Sequence, residues 1–326
     1  MSVCLEHNFE LDLIAQELKK IKAKRILVQL PEGFRICINL ITQKLREHIG
    51  EDLEILYSLN PAYGPCLVDE YGANEVGADV IIHFGHVEYP FYRPSTKTMF
   101  IPVEFQAIDV DKVRSLLNTI CKENTRVCLV STSQHIKLCK RLEEVINKCQ
   151  VIYKGVVYGC TTSDTENCDI LVVVAGGRFS CLSQYLTLLK KEHNLTVYCL
   201  DPYANTLWDP KEEIRKILST RIWKIHEALN KQRWLIVIGF YGQSRNELVK
   251  LLVNKLRERG FDVSVAKVLK IDRESLLNLG SSFDVVVIAS CPYLAFDFYD
   301  LDIPVLTIGE ALMIINGDMS RYIYPW

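Results

Sequence analysis

Arg25-Ile26-Leu27-Val28-Gln29-Leu30 decides the fold, because the chain writes a run of this kind three times. Arg126-Val127-Cys128-Leu129-Val130 and Trp234-Leu235-Ile236-Val237-Ile238 have the same character. The runs begin at 25, 126 and 234, and a spacing of about a hundred residues is the size of a small domain. The segments after the three runs are also alike. In the first copy a helix is expected over 34–49, with Ile38, Ile41 and Leu45 on one face, and strands over 53–59, 79–84 and 98–103. The second copy gives strands at 126–130, 151–158, 169–174 and 196–200, with a helical stretch through 145. The third gives strands at 234–238, 262–268, 284–288 and 304–308, with a helix over 246–259.

Unbroken Val/Ile/Leu runs, rather than alternating ones, belong to strands covered on both faces, the signature of parallel sheets with helical crossovers. The expectation is an α/β chain of three pseudo-repeated small domains, each with a four-stranded parallel sheet, arranged around a central site. Their expected bounds are 1–108, 109–215 and 216–326, with helical connectors over 111–123 and 210–232.

Composition agrees with a globular protein of this kind: 326 residues, 49% hydrophobic and 24% charged. A net charge of -2 gives no electrostatic reason to expect nucleic acid or an acidic membrane as partner. The opening residues mix Glu6, His7, Glu10 and Asp12 among apolar positions, unlike a signal or transit peptide, and no run approaches the roughly 20 apolar residues of a membrane span. A cytoplasmic protein is expected, its twelve cysteines reduced or metal-bound rather than disulfide-linked.

Open parallel sheets bind ligands beyond the carboxyl ends of their strands. Cys66, in the turn Asn60-Pro61-Ala62-Tyr63-Gly64-Pro65-Cys66, and Cys160 each follow the second strand of their copy; Cys291 and Cys181 each follow a third strand. Strand position leaves Cys160 and Cys181 equally placed. Cys128 and Cys199 fall inside strands and Cys37, Cys121 and Cys139 in helices, where a cysteine acts as a small hydrophobe. Cys149 and Cys168 fall in polar lead-ins, and Cys4 is near the terminus. No CxxC pair occurs, which argues against zinc ribbons, thioredoxin-like sites and ferredoxin ligand runs. Three thiolates, one per domain, would leave one iron of a 4Fe-4S cluster open to a substrate.

These residues resemble the iron-sulfur enzymes of the first step of diphthamide biosynthesis, in their archaeal form. The resemblance rests on Leu30-Pro31-Glu32-Gly33, Tyr63-Gly64-Pro65-Cys66-Leu67-Val68-Asp69-Glu70, His83-Phe84-Gly85-His86, Tyr158-Gly159-Cys160, Gly176-Gly177-Arg178-Phe179, Asp201-Pro202-Tyr203, Gly242-Gln243 and Ser290-Cys291-Pro292. It implies a radical enzyme in which Cys66, Cys160 and Cys291 hold a 4Fe-4S cluster and S-adenosylmethionine binds its open iron. Cleavage of the cofactor would yield a 3-amino-3-carboxypropyl radical that adds to a histidine of translation elongation factor 2. An electron donor and a homodimer are implied as well. The resemblance selects Cys160 over Cys181. The chain departs from the family pattern at Ser180-Cys181, where a His-Pro pair is usual, and at Tyr293, where arginine is common.

Other residues carry two readings each. Gly176-Gly177-Arg178 either cradles the cofactor carboxylate or makes a tight strand-to-helix turn. Gln243, after Gly239 and Gly242, has the same ambiguity, and no GxxxxGK[ST] motif is present. His83 and His86 serve the site or the hydrogen-bonded structure. Asp69 and Glu70 suit a helix start whatever the function. Tyr89, Phe91 and Tyr92 form either a protein-docking loop or packing between domains. Two rival functions stand beside the radical transferase: a quinolinate-synthase-like 4Fe-4S dehydratase, whose characteristic motifs are not found, and a non-catalytic cluster-bearing partner subunit.

Overall fold

In the computed structural model, which describes residues 2–189 and 195–325, each repeated run forms an inner strand of its own sheet. The first sheet is ordered Glu54–Ser58, Arg25–Gln29, Val80–Phe84, Thr98–Ile101, and all pairings are parallel. The third has the same order and sense: Asp262–Lys267, Arg233–Ile238, Val285–Ala289, Val305–Thr307. The middle sheet repeats it with Gln150–Val156, Arg126–Ser131, Ile170–Val174 and Thr196–Asp201. In each unit the chain steps to one side of its first strand, then crosses to the other, which opens a crevice at the carboxyl ends between the first and third strands.

The first and third units carry the expected four-stranded parallel sheet, and two short additions stand beside the repeated pattern. The middle sheet carries a fifth strand, Thr206–Trp208, antiparallel to Thr196–Asp201. His7–Asn8 also pairs antiparallel with Glu104–Phe105, beside the first sheet. Both additions are two or three residues long, too short for a periodic pattern to show.

The sheets are buried on both faces, as unbroken apolar strands require. Ile26, Val28 and Ile82 meet Ile14, Leu18, Ile41 and Leu45 on one side of the first sheet, while Leu27 and Ile81 meet Val68 and Ala73 on the other. The third core takes in Leu182 and Leu186 from the helix Phe179–Leu188 of the middle unit, together with Ile214, Ile225 and Ala228 of the long helix Lys211–Ala228. One clamp recurs three times. The backbone N–H of Arg25, Arg126 and Arg233, each opening a first strand, donates to the carboxylate of Asp79, Asp169 and Asp284, each just before a third strand, at 2.9, 2.8 and 2.9 Å. The clamp sets the register of the two central strands where the sheet begins, at the end opposite the loops.

A buried ion pair joins the long helix to the third unit. Arg221 donates to Glu310 through Nε at 2.8 Å and Nη2 at 2.5 Å, and to the carbonyls of Ala295 and Val305. Glu310 also accepts from Tyr322 and from the backbone of Thr307, whose hydroxyl caps the helix Ile308–Asn316.

The expectation of reduced cysteines is corrected. Eight of the twelve are paired: Cys4–Cys37, Cys121–Cys149, Cys128–Cys168 and Cys181–Cys199, with Cα separations of 5.5, 5.3, 5.7 and 5.7 Å. Each pair joins neighbouring segments of one unit, at separations a disulfide spans without backbone movement. Cys66, Cys139, Cys160 and Cys291 stay free.

Candidate functional site

Three of the four free cysteines line a single cavity of ≈ 390 Å³ where the three units meet; Cys139 is buried in the helix Ile136–Val145. Cys66 comes from the first unit, Cys160 from the second and Cys291 from the third. The cavity wall is mostly apolar, with Phe34, Pro65, Val87, Val157 and Phe179 among its residues.

A buried glutamine braces each cysteine loop. Gln29, at the end of the founding strand, donates through Nε2 to the carbonyls of Pro61 and Leu67 at 3.1 Å each, and its Oε1 accepts the Asp69 N–H at 3.0 Å. Cys66 is thus held on both sides. Gln184 does the same around Cys160: Nε2 donates to the carbonyls of Tyr158 (3.0 Å) and Thr161 (2.8 Å), and Oε1 accepts from Ser163. Gln243 accepts from the hydroxyl of Ser290, the residue before Cys291, at 2.9 Å. A buried loop leaves carbonyls and N–H groups without water, and a primary amide offers both donor and acceptor to satisfy them. Of the three, the sequence alone points only to Gln243. Gln29 and Gln184 look like ordinary polar residues of a strand end and a helix until the loop beside them is placed.

The Gln29 amide also fixes two histidines. Its Oε1 accepts from His83 Nδ1 at 2.9 Å, so the proton of His83 lies on Nδ1 and its bare Nε2 accepts from His86 Nδ1 at 3.0 Å. His86 lines the cavity; His83 is wholly buried behind it. Burial lowers His83 well below the ordinary histidine value and brings His86 down to about 4, so both are neutral at physiological pH. Gly85 between them has φ +84°, and a Cβ there would come within 2.7 Å of Pro31, so only glycine fits this turn.

The units close on the cavity through specific contacts. Ser133 and Gln134 of the second unit donate to the Gly85 carbonyl of the first at 2.7 and 2.6 Å. Tyr158 donates to the Glu88 carbonyl at 2.7 Å, and Tyr324, near the carboxyl end of the chain, donates to the Gly159 carbonyl at 3.3 Å. Tyr89 packs edge-on against Phe91 and Tyr158, and Tyr92 packs against Gly242 and bonds Glu70, so these two rings lie between units while Phe91 stays exposed. Asp69 accepts from the N–H of Gly72 and caps the short helix Glu70–Glu75, while Glu70 accepts from the backbone of Ser95 and Thr96. Their work is structural.

Gly176, Gly177 and Arg178 are not brought to the cavity. The Gly177 N–H donates to Asp201 at 2.9 Å, a Cβ on Gly176 would strike the Tyr203 ring at 2.7 Å, and Arg178 pairs with Glu213 at 2.8 Å beside the Trp208 ring. Phe179, the next residue, does line it, edge-on to Tyr293 at 4.3 Å. Ser180, from the first departure, also lines the cavity, Tyr293, the second, touches the Phe179 ring beside it, and Cys181 is committed to its bridge with Cys199.

Burial pushes the Cys66 thiol up, Cys291 and Cys160 beside it add to the rise, and the Gln243 amide opposes it. Burial likewise brings Cys291 up to about 12, although the backbone N–H groups of Tyr293 and Leu294 oppose it. Cys66 and Cys291 resist ionising unless positive charge is supplied beside them, and a metal centre does that: a coordinating thiol is deprotonated outright. One buried donor on the cavity wall, Nε2 of Gln243, has no oxygen or nitrogen to bond.

A three-unit α/β protein with one free thiol per unit facing a shared cavity defines a narrow class. The chain belongs to the diphthamide synthesis protein family, whose family model matches residues 30–325. It is 26% identical over 96% of its length to 2-(3-amino-3-carboxypropyl)histidine synthase subunit 1 of Yarrowia lipolytica, covering 73% of that protein. It is 24% identical over 98% of its length to the human protein of the same description, covering 74% of it. Among solved structures, Dph2 from Pyrococcus horikoshii with a 4Fe-4S cluster matches at TM-score 0.79 and 25% identity, covering 95% of this chain and 92% of that one. Another structure of the same protein matches at TM-score 0.82 and 25% identity, over 98% and 93%.

Proposed function

We propose that Cys66, Cys160 and Cys291 hold a 4Fe-4S cluster, and that this chain carries out the first step of diphthamide biosynthesis. It would transfer the 3-amino-3-carboxypropyl group of S-adenosylmethionine to carbon 2 of a histidine in translation elongation factor 2. The observation that carries the reading is the sorting of the cysteines: eight are bridged, and three of the four left free face one cavity from three different sheets. Among the described residues no three His, Cys, Asp or Glu side chains close tightly enough to hold a single metal ion. A cluster is wider than one ion, so its ligands need not converge on a single point.

When bound, the cluster supplies the electron that breaks the carbon–sulfur bond of the cofactor. The chain's own part is binding, orientation and exclusion. The three glutamine braces fix the thiols, and the apolar wall keeps water from a reactive carbon. Gln243, whose Nε2 lies by the Cys66 sulfur and has no oxygen or nitrogen partner, is the residue we assign to an acceptor on the cofactor; Gly176, Gly177 and Arg178, away from the cavity, are left out of that role. The neutral His86 adds no charge near the cluster.

A full set of three thiols favours a self-sufficient enzyme, working as a homodimer with an external electron donor, over a non-catalytic partner subunit. We place it in the cytoplasm with its protein substrate; no helix among the described residues is long and apolar enough to cross a membrane. The test is to incubate the reduced protein with carboxyl-labelled S-adenosylmethionine and elongation factor 2 from the same source. Label is expected on the factor; an intact cluster with an unlabelled factor would favour the partner-subunit reading.

A further inference from the structure

We propose that Tyr89, held by Arg245, donates a hydrogen bond to the Cys160 sulfur and thereby raises the reduction potential of the cluster; this rests on the cluster reading above. The Tyr89 hydroxyl lies 3.2 Å from Cys160 Sγ, and Arg245 Nη2 lies 2.7 Å from the same hydroxyl. A guanidinium only donates, so the Tyr89 oxygen accepts from Arg245. A ligated sulfur has no proton to give, so the phenolic proton points at Cys160. The direction of the chain is thus fixed: arginine to tyrosine to sulfur.

Three tyrosines crowd Cys160, and only one serves it. Tyr158 gives its proton to the Glu88 carbonyl and Tyr324 gives its own to the Gly159 carbonyl. Tyr89 is 5% exposed, and its ring is held edge-on to Phe91 and Tyr158 at 5.5 and 5.2 Å. Arg245 is steadied over the Phe91 ring at 5.7 Å. The tyrosine comes from the first unit, the cysteine from the second and the arginine from the third. The contact exists only when all three are assembled.

A hydrogen bond to a cluster sulfur disperses negative charge and favours the reduced form, which carries one charge more. Tyr89 is a tuning residue, since it touches a ligand rather than the substrate. The test is a redox titration of the anaerobically loaded protein, followed by the electron-spin signal of the reduced cluster. Tyr89→Phe should shift the midpoint to more negative potential. 3-Fluorotyrosine placed at position 89, a stronger donor of nearly the same shape, should shift it the other way and keeps the test open if the phenylalanine variant loses iron. Tyr158→Phe, whose proton lies on a carbonyl, should leave the midpoint in place. A loaded cluster whose midpoint ignores both changes at position 89 overturns the inference alone; wild-type protein that takes up no iron overturns the cluster reading beneath it.

Discussion

Gln29 shows how much of the site depends on single side chains that do no chemistry. Its amide satisfies two carbonyls, one N–H and one histidine, none of which has water to turn to. Gln29→Leu keeps the volume but removes all four bonds. Each buried group left unpaired costs about 1–3 kcal/mol, with the costs less than additive. We expect a loss of several kcal/mol in denaturant unfolding and a loop that no longer holds Cys66 in place, read as lower iron content after anaerobic loading. Wild-type stability and iron in that variant would show the brace to be incidental. The sequence places Cys66, Cys160 and Cys291 at strand ends, and loops after parallel strands are where ligands gather. It offers no means of finding Gln29 or Gln184, whose role is defined by loops distant in sequence. Gly176-Gly177-Arg178 teaches the converse. The glycine pattern is as consistent with close packing as with a cradle, and in the structure Tyr203 and Asp201 occupy it.

Among the elements, the long helix Lys211–Ala228 connects the middle and third units, and its attachment is polar as well as apolar. Arg221 and Glu310 are 1% and 0% exposed at the side chain. Such a pair adds little over a hydrophobic one, yet removing one partner strands a buried charge at a cost of about 3–5 kcal/mol. Arg221→Met should therefore destabilise the protein by that order in chemical denaturation, while the double change Arg221→Met with Glu310→Leu should recover part of it. A single variant as stable as the wild type would contradict this account of the junction. The elements themselves were largely legible: unbroken Val/Ile/Leu runs recur in the same order and appear as parallel strands of each sheet. The three-residue strand Thr206–Trp208 was not legible, because its length is below any period and its pairing is decided by the neighbour it meets.

Across the whole molecule, eight cysteines form bridges within units, three free thiols face the cavity between units, and Cys139 is buried inside the second. Bridges stabilise mainly by restricting the unfolded chain, typically about 2–4 kcal/mol each. Treating the anaerobic protein with a strong reductant should lower its resistance to denaturant, and Cys181→Ser should lose one bridge while keeping iron. An unfolding midpoint indifferent to reductant, or eight thiols open to alkylation in the untreated protein, would contradict the pairing. Disulfides were not expected from the sequence, since the reduced state is the rule for a cytoplasmic chain; intracellular proteins of hyperthermophiles are the known exception. Pairing depends on which segments become neighbours, and spacing alone does not reveal it.

Anaerobic purification with iron and sulfide analysis decides whether one thiol from each unit holds a shared cluster. The wild-type protein should be brown and carry iron, each of Cys66→Ala, Cys160→Ala and Cys291→Ala should lose the visible absorption, and Cys139→Ala should keep it. A colourless, iron-free wild-type protein, or a full cluster in any of the first three variants, would contradict it.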